Sequence, residues 1–94
     1  AEVEEALRQI LRVQQVCVLA VPDARLDEVP AAVVVGANGV EWSGVVDQLR
    51  QRLAGFKIPR AIYKATELPV TATNRVQRAT LREWIASGRL ERVL

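Results

Sequence analysis

Residues 16–35, VCVLAVPDARLDEVPAAVVV, hold two apolar runs separated by a charged loop. The first run, Val16–Val21, is continuous rather than alternating, which marks a strand covered on both faces. Pro22-Asp23 ends it. The second, Ala31–Val35, is too short and too rich in β-branched side chains for a helix, so it reads as a second strand. Each strand needs a layer on either side, and the flanking sequence must supply those layers.

Upstream, Val3, Ala6, Leu7, Ile10 and Leu11 follow the i, i+3, i+4, i+7, i+8 spacing of an amphipathic helix over Glu2–Leu11. Glu2, Glu4 and Glu5 place negative charge in its first turn, the sign a helix N-terminus favours. Downstream, the stretch from Gly36 to Gly39 breaks the chain. Ser43 is then a candidate cap for a helix carrying Val45, Val46, Leu49 and Leu53 on one face, with Gly55 at its exit. Residues 61–65, AIYKA, read as a short third strand, and a last helix is predicted over about Arg75–Ile85. The order α-β-β-α-β-α makes a small α+β domain in which a three-stranded sheet is flanked by helices.

At 94 residues the chain suffices for one domain on one hydrophobic core. Half its residues are apolar, a globular composition. The net charge is only +2, and eleven arginines and two lysines are scattered without a basic stripe or interleaved aromatics, so no nucleic-acid partner is expected. With no histidine, Ser-His triads and His metal sites are excluded, and the single Cys17 cannot hold a zinc. In its apolar run Cys17 reads as a small buried hydrophobe. The acidic loop residues Asp23, Asp27 and Glu28 lack a second ligand cluster, so no metal site is assigned. No signal peptide and no apolar stretch near the length of a membrane span is present, which makes a cytoplasmic protein the expectation. Neither end shows a linker, and the chain reads as a piece of something longer.

Chemistry is left to the charged residues near the polar turns. In PVTATNRVQRATLREW, residues 69–84, Asn74 reads as the N-cap of the last helix, with Gln77 as the returning half of a capping box. Arg75 then opens the helix against its dipole. Two readings stand for it: a solvated surface arginine, or a guanidinium placed where a carboxylate or phosphate arrives. Lys57 and Arg60 bracket Pro59 in AGFKIPRAIYK and emerge from a stiff corner, which suits a polyphosphate and suits water as well.

These motifs, in this order, resemble the C-terminal domain of the AMP-forming adenylating enzymes: acyl-CoA synthetases, the adenylation domains of nonribosomal peptide synthesis and firefly luciferase. AEVEEAL resembles the start of that domain's first helix, VLAVPDARLDEVPAAVVV its first strands and loop, and LAGFKIPRAIYKATELPVTATNRVQRATLRE its "LA.FK.PR" to "LP.T..GKV.R..LR" segment. The match covers roughly residues 1–85.

The resemblance implies a mobile lid, residues 1–94, whose hinge and large N-terminal ATP- and acyl-binding domain precede Ala1 in the family's order. It implies a ligase of fatty acid metabolism that converts a carboxylic acid to an acyl-adenylate and then to acyl-CoA, using ATP, Mg2+ and CoA. The isolated domain would be inactive and would bind no cofactor alone. One lid orientation presents a loop lysine to the adenylate, and a rotated one presents another face to CoA or a carrier-protein pantetheine. The family's Gly-Lys pair falls on Asn74-Arg75, which makes Arg75 the catalytic candidate, with Thr73 and Asn74 in the adenylate-side loop. Lysine acylation, by which some members are switched off, cannot occur at Arg75. The FKxPR corner makes Arg60, Lys57 and Phe56 the CoA-side candidates. A degenerate lid acting as an interaction module, and the lid of a carrier-protein-directed adenylation domain, are the alternatives.

Overall fold

A computed structural model describes the chain apart from residues 1, 12, 26, 37, 38, 54 and 94; of residues 2, 23 and 56 it describes the backbone alone. The first helix, α1, covers Glu2–Leu11, as its spacing predicts. Two strands follow, β1 (Gln15–Asp23) and β2 (Asp27–Val35), each longer than its apolar run. They pair antiparallel from Gln15↔Val35 to Asp23↔Asp27, so most of the charged loop is strand, and Asp27 enters β2 with φ +65°.

Gly36, at φ +87°, ends β2. Helix α2 spans Trp42–Arg52 and starts before the expected cap. Glu41 holds the N-cap position without a side-chain cap bond, and Ser43 lies in the first turn, its hydroxyl 3.3 Å from Glu41 Oε1. A 3-10 turn over Gly55–Lys57 leads to β3 (Ala61–Ala65), which lies parallel to β2. A parallel partner requires a crossover, and α2 provides it.

The last helix, α3, covers Arg78–Ala86, three residues short of the predicted start. The chain then returns through Gly88, at φ +74°, to a fourth strand, β4 (Glu91–Arg92), antiparallel to β3. The sheet therefore has four strands in the order β1-β2-β3-β4, where three were expected. Two polar, exposed residues carry no periodic signal, so β4 was not legible.

Side chains alternate across the sheet and build a core on each face. On one face Val16, Ala32, Val34 and Ile62 meet Leu7 of α1 and Leu49 of α2. On the other, Cys17, Leu19, Ala31 and Val33 pack with Leu81 of α3. Leu7, Leu49, Ile62 and Leu81 are fully buried, so each helix is anchored by one large aliphatic side chain, whose truncation would cost about 2–5 kcal/mol.

Candidate functional site

Residues 69–77 form a small hairpin, where sequence reasoning placed a helix cap. Val70 and Val76 form an antiparallel bridge, the Gln77 N–H donates to Pro69 O at 2.8 Å, and the Thr71 N–H donates to Arg75 O at 2.8 Å. The Asn74 N–H closes the turn onto Thr71 O at 2.9 Å, and Asn74 itself has φ +64°. A three-residue loop ending in a left-handed residue is a common hairpin connection. Asparagine is among the few residues other than glycine that visit this conformation routinely. Asn74 thus does what a glycine does at this turn.

Two expectations fall with this geometry. Asn74 is not the N-cap of α3: Gln77 holds that position, without a side-chain cap bond, so no capping box forms. Nor does Arg75 oppose the helix dipole, because it precedes the helix by three residues. The missed signal is the valine on either side of the polar turn, Val70 and Val76, which fits strand pairing better than a helical stripe.

The hairpin holds Arg75 by its backbone. Its N–H donates to Thr71 Oγ1 at 3.2 Å, and that oxygen shares a hydrogen bond with Thr73 Oγ1 at 3.0 Å. The guanidinium is exposed, and among the described residues no acceptor holds it. Thr73 and Asn74 are exposed beside it, so the structure brings the three adenylate-side candidates together. Val70, at 42% exposure, leaves apolar surface on the same hairpin.

The second group lies where β3 begins. Pro59 is buried, and the Arg60 N–H donates to Pro30 O at 2.8 Å, which ties the corner to β2. A pocket of about 440 Å³ opens there among Val46, Arg50, Gly55, Ile58, Pro59 and Arg60. Of the CoA-side candidates, Arg60 lines it and half-buried Lys57 does not; the Phe56 side chain lies outside the described residues. Arg50 takes the second cationic place. Sequence reasoning missed it by following only the apolar face of α2, although the turn that ends at Pro59 folds Arg60 back toward that helix. Arg50 Nη1 is 3.7 Å from Asp47 Oδ1, a pair of largely exposed side chains that holds the arginine weakly.

The two groups belong to opposite faces of the sheet. Ile58 of the corner packs on the core under α1 and α2, whereas Val76 of the hairpin packs on the core under α3. A larger cleft, of about 620 Å³, borders Val35, Lys64, Ala65, Trp84 and Arg89, and contains none of the candidates. Its cations are engaged: Arg89 stacks 4.4 Å from the centre of the Trp84 ring, and Lys64 Nζ is 3.8 Å from Glu91 Oε2.

Burial pushes the Cys17 thiol above its ordinary pKa, which keeps it protonated and unreactive. Among the described residues no three of His, Cys, Asp and Glu converge to hold a metal. Nor, among the described residues, is any helix long and apolar enough to cross a membrane.

Comparison with known proteins adds a family. The model described as the AMP-binding enzyme C-terminal domain matches residues 2–75. A methyl-dioxo-octahydroindenyl-propanoyl:CoA ligase of Rhodococcus jostii is 40% identical over 85 residues, covering 88% of this chain and 16% of that protein. A feruloyl-CoA synthase of Amycolatopsis is 38% identical over 84 residues, covering 87% of this chain and 17% of its own. Among solved structures, a Mycobacterium tuberculosis fatty acyl CoA synthetase superposes with a TM-score of 0.83 at 30% identity, over 93% of this chain and 18% of that one. The o-succinylbenzoate CoA synthetase of Bacillus subtilis, in complex with its acyl-adenylate intermediate, gives 0.78 at 31% identity, over 86% and 17%. The chain thus spans about one-sixth of the length of the curated relatives it matches, 16–17% for these two.

Proposed function

Because the chain belongs to the family of AMP-binding enzyme C-terminal domains, we propose that it is the mobile lid of an ATP-dependent, AMP-forming acyl-CoA synthetase. The observation that carries this reading is the pair of exposed cationic groups on opposite faces of one sheet, Arg75 on its hairpin and Arg60 at its corner. A lid serving two half-reactions needs two faces, each completing a different site in a different orientation.

In the first half-reaction the acid carboxylate attacks the α-phosphorus of ATP, pyrophosphate leaves, and the acyl-adenylate forms. Arg75 offers a permanent charge to the oxygens on which negative charge concentrates. In the second, the CoA thiol attacks the acyl carbonyl, AMP leaves, and the thioester forms. Arg60, with Arg50 beside it, holds the nucleotide phosphates of CoA while the thiol reaches the adenylate; Lys57 and Phe56 flank the same corner. CoA is favoured over a carrier protein because the relatives compared above are CoA ligases by name.

Acid selection, and the ligands of the Mg2+ that accompanies ATP, belong to the large N-terminal domain of the parent enzyme. That domain is the lid's partner, and the setting is the cytoplasm. Residues 1–94 act as one unit and are inactive alone. The test is Arg75→Ala in the full-length enzyme. Adenylation, followed by pyrophosphate exchange, slows by roughly 10²–10³, the cost of one transition-state donor. Thioester formation from supplied acyl-adenylate is unchanged. Equal loss in both half-reactions, or in neither, overturns the assignment.

A further inference from the structure

Among the described residues β1 is terminal in the sheet, with no strand on its outer edge. Backbone groups on such an edge need partners when helices cover it. Two side-chain contacts provide them. The Val18 N–H donates to Glu4 Oε2 of α1 at 2.9 Å, and Arg82 Nε of α3 donates to Ala20 O at 2.9 Å. Arg78, one turn before Arg82, places Nη2 3.8 Å from the same Glu4 Oε2.

Val18 N–H and Ala20 O both face the outer edge of β1. Arg78 and Arg82 are four apart on a helix, about 6 Å along its axis. Helix α3 therefore lies beside the edge with Arg82 bonded to it directly and Arg78 held to it through Glu4. A slide of one helical turn, about 5.4 Å, breaks both contacts at once. The apolar contact of Leu81 is non-directional: it selects the face of α3 that is buried and leaves its axial position open. The arginines fix that position.

From this we infer that Arg78 and Arg82, with Glu4 as their anchor, are positioning residues for Arg75. The inference rests on the adenylation role proposed above. The hairpin runs directly into α3, with the Gln77 N–H bonded to Pro69 O and the Leu81 N–H to Gln77 O, so the helix axis carries the hairpin with it. Arg75 lies three residues ahead of Arg78, and its place relative to the sheet follows from where α3 is pinned. The stability at stake is modest, because the Arg78 side chain is 52% exposed and solvent screens its charge, although Glu4 is only 15% exposed. The geometry orients more than it stabilises.

The experiment is a set of full-length parent enzymes carrying Arg82→Ala, Arg82→Lys, Glu4→Gln and Arg75→Ala, and the double variant Arg75→Ala/Arg82→Ala. Arg82→Ala lowers the kcat of adenylation roughly ten- to hundredfold, the effect of a small misplacement of a reacting group. The KM values for ATP and acid stay constant, and so does thioester formation from supplied adenylate. Arg82→Lys, which still donates to Ala20 O, recovers most of the loss. Glu4→Gln keeps an acceptor for Val18 but loses the charge that draws Arg78, and shows a smaller loss in the same half-reaction. The double variant is no slower than Arg75→Ala alone. Amide exchange at Thr71, Asn74 and Gln77 quickens in Arg82→Ala while exchange in β2 does not.

Equal losses in both half-reactions, or losses that add fully to those of Arg75→Ala, overturn the inference in favour of a fold-wide role. Full adenylation in Arg82→Ala with a large loss in Arg75→Ala overturns the inference and leaves the role of Arg75 intact. Full adenylation in Arg75→Ala removes that role, and the inference with it.

Discussion

The conformation of Asn74 is open to a substitution series, because two readings of the residue order its replacements differently. At φ +64° it stands in the left-handed region, where an L-residue with a Cβ costs about 1–2 kcal/mol and asparagine is relieved in part by local side-chain bonding. Glycine carries no such cost. The hairpin geometry therefore ranks Asn74→Gly at or above the wild type, with Asn74→Ser and Asn74→Ala both about 1 kcal/mol lower. An N-cap ranks them otherwise: serine equals asparagine, glycine loses a few tenths, and alanine loses about 1 kcal/mol. Serine against glycine is the deciding pair. For a domain of this size, 1 kcal/mol moves the melting temperature by about 4–8 °C, well within the reach of calorimetry or circular dichroism on the chain. Serine melting with the wild type while glycine melts lower would refute the hairpin.

Three further outcomes follow from the same structure. Arg60→Ala and Arg50→Ala in the parent enzyme each raise KM for CoA by about tenfold, the low end for a charge-assisted hydrogen bond at an exposed site, and leave pyrophosphate exchange unchanged. The effect shrinks with added salt, as a titration between low and physiological ionic strength reads directly. Cys17, buried and held protonated, resists iodoacetamide in the folded chain and reacts once denaturant is added. Its pKa is raised on folding, so its contribution to stability is whole below the unfolded value of about 8.5 and falls as pH rises through that value toward the folded one, which urea titrations across pH 7–10 measure.

Apolar periodicity carried most of the fold. Helix α1 and strand β3 have the bounds their patterns predict, the helix because one face must be buried along its length and the strand because turns close it on both sides. What was not legible depends on partners distant in sequence. The short strand β4 exists because β3 offers it an edge. The start of α3 was misplaced because NRVQ satisfies a local capping pattern, while the bridge from Val70 to Val76 commits the same residues to a hairpin. Arg75 was singled out as a cation opening a helix, a position it does not hold, and its role came by resemblance; Arg60 was found by its stiff corner. Arg50 escaped because nothing in α2 announces that a turn brings Arg60 to the same pocket. Pairing across a tertiary contact is invisible until the chain is folded.

The remaining question is whether the guanidinium of Arg75 serves where the resemblance implies an ammonium. The hairpin bears on it directly, since the backbone of Arg75 is held by Thr71 and by the turn at Asn74 with no help from its own side chain. A lysine placed there inherits the same base and leaves the fold untouched. Charge is common to both side chains: at 4 Å and an effective dielectric of about 20 either contributes about 4 kcal/mol of attraction to a unit negative charge. Only the planar fork is lost. Arg75→Lys in the parent enzyme therefore keeps adenylation within about tenfold of wild type, far from the roughly 10²–10³ loss of Arg75→Ala. A lysine variant as slow as the alanine one would show that the fork, and not the charge, is what the reaction requires. The exchange also creates a liability that the native chain lacks. Acetylation removes the charge of a lysine and leaves an arginine untouched, so acetyl-transfer treatment abolishes adenylation in Arg75→Lys when that lysine is modified, while the native residue keeps its charge. An arginine on this hairpin is a cation that acylation cannot switch off.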